Sequence, residues 1–288
     1  MKIVISRKGF DSAFGGVPSP LLHDQRLISL PIPYNARETR RRFADVQFDG
    51  RSIGPMVEML TSQRVLGNHY CHLDPDLRAD ALCERSSGWR PAFGQADAAA
   101  KHLINRGVGI GDVFLFFGLF RQVDQNYSLV AGTPKLHVLH GWLQVDEVIT
   151  NPTQWVRDHP WAAQHPHTYG HGWKYSNTLY LAKPFLCVDG KETHLPGAGV
   201  FPYFNKYLQL TDPRSPSAIN WRLPSELGPR AGRTPPTYIG NPSKWTERGD
   251  DILFTPGRVT RWQEAVWNAD EYPGMIEWMV RLIERHRG

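Results

Sequence analysis

The sequence predicts an α+β fold dominated by strands and loops, with a few peripheral helices. Twenty-six glycines and twenty-three prolines are too many for a helix bundle and suit short strands joined by structured turns. Two long apolar runs, GVGIGDVFLFFGLFR from Gly107 to Arg121 and KLHVLHGWLQVDEVI from Lys135 to Ile149, read as core strands. At the far end Met275, Ile276, Met279, Val280, Leu282 and Ile283 recur at helical spacing, which predicts an amphipathic helix over Pro273 to Arg285.

Lys2 to Ser6 is short, β-branched and abruptly ended, as a buried first strand would be. The loop RKGFDSAFGGVPSP follows, with Lys8, Asp11 and Ser12 among its glycines and prolines. It has the flavour of a phosphate cradle but matches neither glycine-rich phosphate motif, so a structural turn competes with a ligand loop. Leu27 to Pro33 reads as an edge strand, and Arg37 to Arg42 as a basic cluster that meets phosphate or simply faces solvent. Gly54 to Thr61 is a short helix, and Gln95 to Arg106, Ala-rich and free of Gly and Pro, a longer one. Strands are expected at Val113 to Phe120, Lys135 to Ile149, Asn177 to Ala182, Phe185 to Val188, Asn220 to Leu223, Asp251 to Phe254 and Thr260 to Trp267. A helical turn is expected at Thr153 to Arg157, and Leu195 to Tyr203 reads as a loop.

Hydrophobic residues at 41% and thirteen Phe argue against disorder, and a net charge of +5 permits phosphate contact without demanding it. Three cysteines without CxxC spacing point to a reducing cytoplasm and away from a cysteine zinc site. The N-terminus lacks a signal-peptide apolar region, and no run approaches the roughly 20 residues of a membrane span.

The chemistry concentrates in NHYCHLDPDL, from Asn68 to Leu77. His72-x-Asp74 places an imidazole and a carboxylate on one side of an extended segment, two of the three ligands of a two-histidine, one-carboxylate site for Fe(II). His137 is the expected third ligand, with His167, from the pair His165 and His167, a further candidate, as is His140. The competing view is that these side chains hydrogen-bond to loop backbone. Asp76 reads as a carboxylate that orients a histidine or as an N-cap for a helix at Leu77. HExxH, G-x-S-x-G and the zinc-deaminase pattern are absent. Cys71 is a candidate nucleophile only by its neighbours His69 and His72. Trp142, Trp155, Trp161, Tyr169, Trp173 and Tyr175 crowd one stretch, where they either stack a base or pack the core.

Read in order, ISRKGFDSAFGGVPSP, HLDPDL, GWRPAFGQADAA, GVGIGDVFLFFGLFR, LHVLHGWLQVDEVI, SNTLYLA and GAGVF resemble the nucleotide modification associated domain 3 family over most of the chain. The resemblance implies an association with modified bases or nucleotides in bacteria and phages. Matching positions are Arg7, Lys8, Asp11, Ser12, His72, Asp74, Asp76, Gln95, His137, Trp142, Gln144 and Asn177. The family pattern carries an apolar aromatic where this chain has His140, which favours His137. Gly107 to Ile149 is also similar to PUA-like base-binding barrels of the EVE and ASCH types. No linker clearly divides the chain, so one domain over 1–288 is expected, and the similarity implies a core that is a mostly antiparallel barrel around 90–190 with N- and C-terminal elaborations.

Two functional readings of different class result. In the first, a metal-dependent, non-haem iron enzyme modifies a nucleobase, nucleotide or similar heteroaromatic substrate. His72, Asp74 and His137, with His167, hold Fe(II), and Asp11 and Asp76 are the further catalytic carboxylates. Arg7, Lys8, Ser12, Gln95, Trp142, Gln144 and Asn177 contact substrate, and use of 2-oxoglutarate stays open. In the second, the protein is a non-catalytic PUA-like reader of modified bases in DNA or RNA. Metal-free transfer or hydrolysis with Asp11 and Asp74 as acid and base also stays open. A flat strand puts His137 and Trp142 on opposite faces, so one pocket needs a twist or bulge near Gly141.

Overall fold

Eight strands form the main sheet: β1 (Lys2–Arg7), β2 (Ser19–Leu21), β3 (Ala92–Ala96), β4 (Val113–Gln122), β5 (Leu136–Ile149), β6 (Asn177–Ala182), β7 (Ala198–Val200) and β8 (Glu264–Asn268). Their order is β8-β1-β4-β5-β6-β3, with β7 on β5 and β2 on β4. Pairings are antiparallel except β1 with β4 and β2 with β4. The computed structural model describes residues 1–34, 39–169, 173, 176–257, 263–272 and 274–288. Residues 37 and 38 of the basic cluster, Lys174, Tyr175, residues 260–262 of the late strand and Pro273 lie outside this set.

β1 is central because Ile3, Val4 and Ile5 are apolar on both faces and wholly buried. The sheet therefore draws an interior strand from the N-terminus and an end strand from β8, beyond the expected stretch 90–190. It curls strongly. Phe93 of edge strand β3 packs 4.8 Å from Phe114 and 5.1 Å from Phe116 on β4, in one apolar cluster with Val4 and Val266. The curl stops short of the expected PUA-like barrel: among the described residues no backbone pairing joins β3 to β8. Side chains span that seam instead, with Gln95 donating to Glu264.

Among the described residues four α-helices lie outside the sheet: α1 (Gly54–Leu60), α2 (Asp97–Asn105), α3 (Pro152–Trp155) and α4 (Met275–His286). α4 is the amphipathic helix the spacing predicts; Met275, Met279, Leu282 and Ile283 enter the largest core cluster with Trp221 and Trp267. The helix expected from Gln95 starts later, because Gln95 and Ala96 end β3 and Asp97 turns the chain at φ 52°. The loop expected at Leu195 to Tyr203 contains β7, and strands at Lys191–Pro196 and Trp245–Arg248 carry no strong pattern. No described helix is long and apolar enough to cross a membrane.

β5 contains the bulge that its alternation problem requires. Phe116 pairs with Gly141 and Phe117 with Leu139, so His140 is the extra residue. The alternation is reset there: Leu139 and Trp142 pack in one core cluster, Leu143 and Val145 in another.

Candidate metal centre and cavity

Three segments bring the candidate site together. Cys71–His72 is a two-residue strand paired with Ile32–Pro33, which fixes His72. Asp74 follows, its backbone N–H bonded to the His72 carbonyl at 2.9 Å and its Oδ1 accepting from Gly94 N at 2.7 Å, which ties the tract to β3. His167 sits in the short turn Pro166–Thr168. Its ring lies over Gly94, where an added Cβ would come within 2.0 Å of Cδ2. Glycine is thus required on β3 for the ring to approach.

Candidate ligand atoms of His72, Asp74 and His167 lie within 4.8 Å of one another. Asn177, at the start of β6, brackets His167: its Nδ2 donates to the His167 carbonyl at 2.7 Å, and its Oδ1 lies 2.6 Å from Nδ1. An amide oxygen only accepts, so Nδ1 carries the proton and Nε2 presents its lone pair. His167 Nε2 is 3.9 Å from Asp74 Oδ2, and Trp173 stacks on the ring at 4.7 Å and 1°. His72 is only 6% exposed, and its Nε2 is buried with no hydrogen-bond partner among the described residues. Such an orphan costs about 1–3 kcal/mol unless something binds it.

The electrostatics suit a metal. Burial lowers His72 well below the ordinary imidazole range, helped by His167, and burial takes His167 down to about 4. Burial opposes ionisation of Asp74, but Lys8, His165 and His167 outweigh it and hold the carboxyl well below its usual range. Both imidazoles are therefore neutral and the carboxylate charged at neutral pH, the states a divalent cation needs. Lys8 Nζ, 3.7 Å from Asp74 Oδ2 and 4.3 Å from the Phe93 ring centroid, supplies the compensating positive charge. His165 Nε2 adds a contact at 3.3 Å to Oδ1.

The cluster opens on a cavity of about 780 Å³, also lined by Arg7, Lys8, Asp11 and Gln95. This falls within the roughly 300–1,000 Å³ of small-molecule sites. Arg7 Nη1 is 3.9 Å from Asp11 Oδ2, while Asp11 Oδ1 accepts from the N–H groups of Ala13 and Phe14, so Asp11 holds the loop.

Other expected residues lie elsewhere. His137 is not part of the cluster: its Nδ1 accepts from Trp221 Nε1 at 2.9 Å in the core. Trp142 is 1% exposed, packs on Phe201 and donates to the Pro196 carbonyl. Gln144 is consumed by backbone, donating to Gly111 and Cys187 carbonyls and accepting from Cys187 N. Ser12 is exposed and does not line the cavity. Asp76 is clamped by Arg85 at 2.6 and 2.8 Å beside a neighbouring cavity of about 530 Å³. Cys71 is buried and its thiol pushed far up by that burial, which removes it as a nucleophile. Sequence patterns passed over Gly94, Glu264 and the role of Asn177 as the partner of His167.

Two results measure these supports. Arg85→Ala removes the ion pair of the 3%-exposed Asp76 side chain, leaving it only the Trp89 Nε1 donor among side chains, and is expected to cost about 3–5 kcal/mol in urea unfolding. Asn177→Ala frees the His167 ring and is expected to weaken metal affinity about 10–100-fold in calorimetric titration, with the circular dichroism spectrum unchanged.

The fold and site define an α+β protein with a buried histidine–carboxylate cluster at the wall of a small-molecule-sized cavity. The chain belongs to the nucleotide modification associated domain 3 family, which matches residues 2–268. No curated protein and no solved structure matches it.

Proposed function

We propose that the protein is a metal-dependent enzyme that modifies a nucleotide or nucleobase, with His72, Asp74 and His167 as ligands of a non-haem iron. The observation that carries this reading is the orphaned His72 Nε2, buried beside an ionised Asp74 and an oriented His167 Nε2 at the cavity wall. Two histidines and one carboxylate on one side of the ion are the donor set of non-haem Fe(II), and three protein ligands leave positions open for Lewis-acid and redox chemistry.

The chain's own residues do the rest. Lys8 and Arg7 bring positive charge to the cavity for a phosphate, and Asn177 holds His167 in the ligating tautomer. Tyr34, 4.6 Å from the His72 ring, and Trp173 cover the cluster and limit water. Asp11 serves by fixing the loop that carries Arg7 and Lys8.

The test is anaerobic loading with Fe(II), exposure to air with mixed nucleotides and short oligonucleotides, and mass spectrometry of the products. A mass shift that disappears with chelator and in His72→Ala is expected. A product indifferent to both would refute metal dependence.

A further inference from the structure

Glu264 opens β8, is 1% exposed, and nevertheless lines the cavity shared by the metal cluster. It forms no ion pair among the described residues, so its burial is costly and stability alone does not explain it. Two neighbours fix the carboxyl. Gln95 Oε1 accepts from Ala96 N at 3.1 Å, which commits the amide orientation and leaves Gln95 Nε2 to donate to Glu264 Oε1. Ser6 Oγ lies 3.5 Å from the same oxygen. Oε2 accepts no hydrogen bond from any described residue.

The placement follows from the fold. Gln95 lies near the end of β3 and Glu264 begins β8, the two end strands of the curled sheet, so their side chains meet across the open seam. Burial raises the Glu264 pKa above the ordinary carboxyl range, and Lys8, Gln95, Ser6 and Arg7 offset this only in part, so Oε2 is a charged acceptor above that raised pKa.

We propose that Glu264 selects the substrate's ring: its free Oε2 accepts a hydrogen bond from a ring N–H. The cavity then takes lactam-type bases such as guanine and uracil. Adenine and cytosine present a lone pair at the corresponding ring nitrogen, which repels a carboxylate oxygen. This rests on the cavity being the substrate site proposed above, but not on the metal.

Equilibrium dialysis of the full chain against GMP, UMP, AMP and CMP tests it. GMP and UMP are expected to bind about 10-fold or more tightly than AMP and CMP. In Glu264→Gln the amide oxygen keeps the bond from Gln95 and its NH₂ faces the cavity, so the order inverts. Equal binding of all four, a wild-type preference for AMP and CMP, or an unchanged order in Glu264→Gln overturns the proposal. The wild-type series needs no variant to fold. Ring preference without metal uptake would refute the metal reading and leave Glu264 standing; metal uptake without ring preference would do the reverse.

Discussion

His72→Ala is expected to fold and to lose divalent metal binding. The ring contributes little that the fold depends on: its Nε2 has no hydrogen-bond partner among the described residues, and its site adjoins an existing cavity. Removing it abolishes an unpaired buried polar atom, which offsets part of the packing lost against Tyr34 and His167. Asp74 behaves differently, because Asp74→Ala strips Gly94 N–H and Lys8 of their acceptor. Asp74→Asn is therefore the better companion variant, keeping an acceptor and losing the charge. In both, metal affinity should fall by more than the 10–100-fold typical of a supporting partner. Calorimetric titration with Mn(II) or anaerobic Fe(II) reads this directly, and undiminished affinity in His72→Ala would remove His72 from the site.

Metal-free protein should lose stability steeply in mild acid. His137 and His140 are buried, and burial lowers each from 6.5 to about 3. Between those values the unfolded chain binds protons that the folded chain does not, so stability falls as pH falls. Above pH 6.5 the two histidines contribute no pH dependence. Each adds a slope of about 1.4 kcal/mol per pH unit, and the pair removes about 4 kcal/mol by pH 5. Urea unfolding at pH 7 and pH 5, with chelator, measures the loss, to which His72 and His167, also lowered by burial, add in the metal-free protein. His140→Phe, which suits a pocket flanked by Phe116 and Phe120, should reduce the slope by one proton. A flat profile, or one unchanged in His140→Phe, would contradict the account.

Local pattern made much of the fold readable. The β-branched run of β1, the apolar runs of β4 and β5, and the α4 stripe each report burial through their own periodicity. The curl and the seam were not readable, since they arise from contacts between β3 and β8, as in the Gln95–Glu264 pair 169 residues apart. The candidate ligands were legible through local spacing, but their grouping was not. His72 and Asp74 declare themselves by i, i+2 spacing, and His167 by its pairing with His165. The choice between His167 and His137 depended on partners far along the chain: Trp221, 84 residues on, claims His137 for the core. Trp142 and Gln144 look like a base pocket in sequence because an aromatic ring and an amide also serve packing and backbone satisfaction. The bulge at His140 resolves β5 without bringing either of them to His72. Glu264 gave no signal beyond being an acid before AVWN; only the seam gives it meaning.

His72, Asp74 and His167 are expected to hold one metal ion at the cavity wall. Anomalous diffraction from crystals grown with Mn(II) or Fe(II) tests it most directly. A single strong peak is expected within about 2.0–2.3 Å of the two imidazole nitrogens and an Asp74 oxygen. A metal-loaded crystal with no peak there, or with the ion bound at other residues, would contradict it.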